Sequence, residues 1–183
     1  MKDVKVFISH AADAEEEYKI VKNIILEEND NHFIGDGYRF SPICWRDFLP
    51  GLGNPQRDKI DPHIIDSDCR LIILILKNRL GAFYEDGKTG IEHEYELAKE
   101  EGKEIMIFHC DFSIRPSQIE PMDLTNTNEF ISRVKTEGLI EDRIPSPVDL
   151  EKVFRCKFSQ LARKLINREK DSSKEFEKFS RGF

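Results

Sequence analysis

Residues 71–76, Leu71-Ile72-Ile73-Leu74-Ile75-Leu76, form an unbroken apolar run with Arg70 before it and Lys77 after it. A run this short and uniform predicts a strand covered on both faces rather than one with a wet side. Residues 4–9 and 104–110 have the same character, and 39–45 reads as a further strand. Pro42 suits that last strand to an edge position, since proline cannot donate to an interior ladder. Between these runs the apolar period changes from continuous to helical. Ala14, Tyr18, Val21 and Ile25 recur at helical spacing after Asp13, which can cap their helix. Residues 29–37, with Gly35 and Gly37, read as a polar loop, and 57–65 as a short helix interrupted or bent at Pro62. A helix is predicted from Thr89 to Glu101 with Gly102 as its stop, and another over 126–136. A last helix opens at Ser146-Pro147-Val148-Asp149, with Leu150, Phe154, Phe158, Leu161 and Leu165 as its stripe.

Strands alternating with helices imply right-handed crossovers and an α/β fold, a parallel sheet with helices on both faces. The 183 residues suit one domain, expected over 1–167, with a charged helical or flexible tail at 168–183. Ligands of such sheets lie beyond the carboxyl ends of the strands. Function is therefore expected in the loops after Ser9, Trp45, Leu76 and Cys110.

Composition narrows the ligand. A net charge of −7 argues against nucleic acid, whose binding relies on neutralising phosphates with Lys and Arg. Cys44, Cys69, Cys110 and Cys156 are scattered and read as reduced thiols, with no metal site expected. No apolar run approaches a membrane span, and Met1-Lys2-Asp3 leads straight into a strand, so a cytoplasmic, membrane-free protein is expected. His109-Cys110-Asp111 has the residue types of a catalytic cluster but no nucleophile elbow to go with it.

Two glutamates share the helix after Thr89. Thr89-Gly90-Ile91-Glu92 fits a capping box, which gives Glu92 a structural task. Glu94 has no such task and lies at the edge of the stripe formed by Ile91, Tyr95 and Ala98. It is the candidate catalytic group, against the plain alternative of a solvated surface acid. Softer candidates are Ser9 and His10 after the first strand, with a solvated loop as the plain reading of His10; the aromatic faces of Phe7 and Trp45, with core packing the favoured role of Phe7; and Asp47, which can instead cap its loop. Arg79 can meet a pyrophosphate or simply face solvent.

Four segments in this order resemble the Toll/interleukin-1 receptor (TIR) domain. They are Val6-Phe7-Ile8-Ser9-His10; Trp45-Arg46-Asp47 with Pro50-Gly51; Ile64-Ile65-Asp66-Ser67-Asp68; and Glu94 with Ala98 four residues on. The resemblance implies a flavodoxin-like parallel sheet. It also implies an NAD+ glycohydrolase or cyclase that cleaves the nicotinamide–ribose bond with Glu94 and needs no cofactor, NAD+ being the substrate. It further implies a place in bacterial anti-phage defence signalling, and self-association through Phe48, Leu49, Pro50, Gly51 and Leu52 into a homo-oligomer with other TIR domains. The chain departs from the family in carrying Gly90 where many members have Trp, and in lacking the third box of the animal receptors, which points to the bacterial or stand-alone branch. Gly90-Ile91-Glu92-His93-Glu94 with Ala98 is also similar to nucleoside deoxyribosyltransferases, which likewise cleave an N-glycosidic bond with a glutamate. The alternatives are thus a non-catalytic TIR adaptor and a nucleoside or nucleotide N-glycosidase.

Overall fold

Five strands, β1 (Lys2–His10), β2 (Tyr38–Ile43), β3 (Cys69–Leu76), β4 (Glu104–Cys110) and β5 (Ile140–Ile144), build one sheet in the order β2-β1-β3-β4-β5. Every pairing is parallel. This is the flavodoxin-like order, whose topological switch point lies between β1 and β3. The computed structural model describes residues 1–48, 54, 56–84, 87–112, 120–138 and 140–180, with side chains through 171.

The central position of β3 explains its unbroken apolar sequence. Leu71, Ile73 and Ile75 enter one core, with Phe40, Phe154 and Phe158. Ile72, Leu74 and Leu76 enter the other, with Phe7, Tyr95 and Phe130. Helices α1 (Glu15–Glu28) and α5 (Pro147–Ser180) cover the first face; α2 (Asp61–Ile65), α3 (Gly90–Glu100) and α4 (Pro121–Lys135) cover the second. Pro42 lies in β2, an edge strand as expected, opposite Val6. Among the described residues no helix is long and apolar enough to cross a membrane.

Several local expectations need correction. Asp13 does not cap α1: it sits in a 3-10 turn, Ala12–Ala14, and accepts a hydrogen bond from the Asn78 backbone N–H at 2.9 Å. Residues 29–37 are not an open polar loop. They wind through two helical turns, Asn29–Phe33 and Ile34–Asp36, and bury Phe33 and Asn29. The strand read over 39–45 stops at Ile43, and Trp45 begins a 3-10 turn, Trp45–Asp47. The short helix read over 57–65 is interrupted beside Pro62: the helical turn Gln56–Ile60 gives way there to α2, and Pro62 stands in the first turn of α2, where its missing N–H is not needed. The fifth strand, Ile-Glu-Asp-Arg-Ile, has too little apolar character to be read from its pattern. Of the two alternatives for the tail at 168–183 the helical one holds as far as Ser180, since α5 runs on through residue 167, and Lys2 pairs with Glu169 at 2.7 Å.

Candidate functional site

β1 and β3 stay paired as far as His10 and Ile75, the helices that follow them cover opposite faces, and α3 packs across the face that carries Phe7, Leu74 and Leu76. A capping box sets where α3 begins. Thr89 N–H and Oγ1–H both donate to Glu92 Oε2, at 3.0 and 2.8 Å, while Glu92 N–H donates back to Thr89 Oγ1 at 3.4 Å. Glu92 therefore has the structural role read from the sequence. With the start of α3 fixed, the next turn places Glu94 inward, 6% exposed.

Glu94 is not a solvated surface acid. Burial raises its carboxyl from the ordinary 4.5 to about 7, against the opposing influence of Ser9, Gln56 and His93. Gln56, buried in the helical turn Gln56–Ile60 ahead of α2, donates from Nε2 to Glu94 Oε1 at 3.4 Å and to Asp61 Oδ1 at 3.2 Å. Asp61 in turn meets His93 Nε2 at 3.1 Å. One polar chain, His93–Asp61–Gln56–Glu94, thus joins two helices and a turn. Ser9 shares the Phe7 side of β1 and helps the Glu94 carboxylate, yet its buried hydroxyl closes no hydrogen bond. Tyr84 completes the surroundings. A Cβ on Gly90 would stand 3.3 Å from the Tyr84 ring, so the bare glycine is what admits that ring over the start of α3. Sequence reading missed Gln56, Asp61, His93 and Tyr84; they are single residues of four types, scattered along the chain, and form no pattern before the fold brings them together.

The remaining candidates separate. His10 is buried at the end of β1, its Nδ1–H donating to Ala11 O at 3.0 Å and its ring stacked on Tyr18. Burial lowers its pKa, so the ring is neutral with Nε2 as an unpartnered acceptor. Trp45 is 38% exposed, its ring under the Arg46 guanidinium and 6.1 Å from His10. It is therefore a surface ring beside α1, outside the core. Phe7 is fully buried in the core with Ile72 and Leu74, so it offers no face to a ligand. Asp47 accepts from the Cys44 N–H at 2.8 Å, the capping alternative, and Arg79 pairs with Asp123 at 3.0 Å. Phe48 folds back and stacks on His63 at 4.1 Å. Leu49, Pro50, Gly51 and Leu52, the rest of the expected association loop, lie outside the described residues. His109 takes its acid from β5, Asp142 at 2.7 Å, and not from neighbouring Asp111. Burial pushes the Cys110 thiol up to about 12, which makes it inert at neutral pH.

Comparison with known proteins gives a family and several distant likenesses. Residues 5–157 match the model described as a domain of unknown function (DUF4062). No curated protein matches the chain. Among solved structures, it is similar to translation elongation factor SelB from Methanococcus maripaludis, with 12% identity and a TM-score of 0.46 over 88% of this chain. The chain spans 35% of that factor's length. Oxidised flavodoxin 1 from Bacillus cereus shares 18% identity at a TM-score of 0.40, over 87% of this chain and 98% of its own. An FMN-dependent NADH-azoreductase from Bacillus anthracis shares 10% at 0.42, over 91% and 100%.

Proposed function

Since the chain belongs to this DUF4062 family, whose description assigns no activity, we propose its function from the site itself: an N-glycoside hydrolase that cleaves the nicotinamide–ribose bond of NAD+. The carrying observation is Glu94, a carboxylate enclosed at the switch-point end of the sheet, with Gln56 donating to it and, among the described residues, no cap or ion pair to occupy it. Its place in the resemblance to TIR domains supports the same reading. Cleavage breaks the C1′–N bond, and the electron pair goes to the ring nitrogen, so nicotinamide leaves neutral. The positive charge developing on the ribose is stabilised by ionised Glu94. Water then adds at C1′ and gives up its proton, and no general acid is required for departure. With water as acceptor the other product is linear ADP-ribose; where an adenine nitrogen takes the place of water at C1′, it is the cyclised form.

The test is nicotinamide release from NAD+ by the purified chain and by Glu94→Gln. The variant keeps size and hydrogen bonding but loses charge, and its rate should fall by at least roughly a hundredfold, about 2.7 kcal/mol of barrier. Normal turnover by Glu94→Gln, or loss of activity in Glu92→Gln instead, removes Glu94 from the mechanism.

A further inference from the structure

Around Glu94 the buried polar atoms lack donors. Gln56 faces two carboxylates, and both must receive N–H, so Nε2 points to Asp61 and Glu94 and the amide orientation is set. Gln56 Oε1 is left as a buried acceptor without a partner, on the side of Gly90 and Tyr84. Ser9 Oγ, also buried, has none either. Together with Glu94 these atoms come from β1, the turn ahead of α2, and α3. Each unpaired group costs about 1–3 kcal/mol, which a ligand bringing hydroxyl donors recovers. The vicinal hydroxyls of a ribose are such donors.

The charges select further. Glu94 and Asp61 make this part of the crevice acidic, which favours a cationic base on the sugar. Three of the basic residues that follow β2 and β3 are already paired. Arg46 pairs with Glu15 at 2.8 Å, Lys77 with buried Glu17 at 2.8 Å, and Arg79 with Asp123 at 3.0 Å. Drawing any of them to a pyrophosphate means breaking its pair, and Lys77 would leave Glu17 as an uncompensated buried charge.

We infer that the Glu94 pocket recognises a cationic ribonucleoside, the nicotinamide riboside portion of its substrate, and that phosphates contribute little to its recognition. The inference rests on the glycohydrolase reading for the identity of the base but is read out by binding. Calorimetry at pH 8 on the full wild-type chain, which keeps the Glu94 charge, compares the non-cleavable carbocyclic analogues of nicotinamide riboside, nicotinamide mononucleotide and NAD+. The expected dissociation constants lie within about tenfold of one another, a spread of about 1.4 kcal/mol. Gln56→Leu, shown to be folded by circular dichroism, should weaken all three by roughly tenfold. NAD+ binding more than tenfold tighter than the riboside overturns the inference, as does absence of riboside binding. Wild-type turnover separates the two claims. Cleavage of NAD+ with a large preference over the riboside keeps the hydrolase and ends this inference; riboside binding with none of the three cleaved ends the hydrolase and keeps it.

Discussion

Glu94 carries a conflict between folding and chemistry that can be measured on one side chain. Burial raises its folded-state pKa to about 7, above the 4.5 of an exposed glutamate. Between those values the folded protein holds a proton that the unfolded chain has lost. The stability tied to this group is therefore complete below pH 4.5 and lost as pH rises through 7. Glu94→Gln removes the titration, so it should stabilise the fold at pH 8 by up to about 3 kcal/mol, worth roughly 5–10 °C in Tm, and change little near pH 4.5. Thermal melts at the two values check this; equal melting at pH 8 would show that the carboxylate is solvated. Activity should run the other way, kcat/KM rising with pH toward a plateau above about 7 as Glu94 ionises. Trp45 gives a second residue-scale expectation. Its ring is open to solvent on one side, so Trp45→Ala should raise KM several-fold and shift Tm by no more than about 2 °C. A collapse of the fold would place the ring in the core.

At the scale of elements, the two exposed ends of the sheet were read from sequence with opposite success. β2 was legible as an edge through Pro42, but what closes that edge was not. Asn29 donates from Nδ2 to Phe40 O at 2.7 Å and accepts from Phe40 N–H at 2.8 Å, acting as one residue of a further strand. A lone Asn in a polar stretch carries no sign of that role, and the stretch itself reads as loop until Phe33 is seen in the core. Asn29→Ala strands both Phe40 groups in a buried setting and should cost about 3 kcal/mol. Urea unfolding decides, and a loss under about 1 kcal/mol would mean the clip is not bidentate. β5 failed to show in the pattern because Glu141, Asp142 and Arg143 occupy the middle of an edge strand whose ladder shifts register beside them. Charges and irregularity protect edges from strange partners, and they erase the apolar signal for the same reason. The start of α3 was legible because a capping box is a local code, and that code is what separated Glu92 from Glu94. Gln56 and Asp61 were not legible because only the crossing of α2 over α3 brings them to Glu94.

Across the whole molecule, exposed apolar side chains gather at opposite ends of the sheet. Trp45, Phe83, Met122 and Val148 are exposed and follow β2, β3, β4 and β5, at the end where Glu94 lies. Ile34 and Ile65, also exposed, precede β2 and β3 at the other end. Two different apolar surfaces on opposite ends suit a head-to-tail contact, which need not close into a ring. Phe48 is already folded back on His63, so the rim at the Glu94 end rests on Trp45, Phe83 and Met122 rather than on that side chain. If such a contact completes the site, specific activity rises with protein concentration, and either Phe83→Asp or Ile34→Asp abolishes the rise while leaving the monomer folded. A mixture of the two variants discriminates further. Each damages a different end, so one intact junction forms between unlike partners, and the mixture should recover part of the activity that neither variant shows alone. A two-fold contact using one surface twice predicts no such recovery. Constant specific activity across a roughly hundredfold dilution, with a monomer by light scattering throughout, would show that each chain works alone and that the exposed rim serves only to admit substrate.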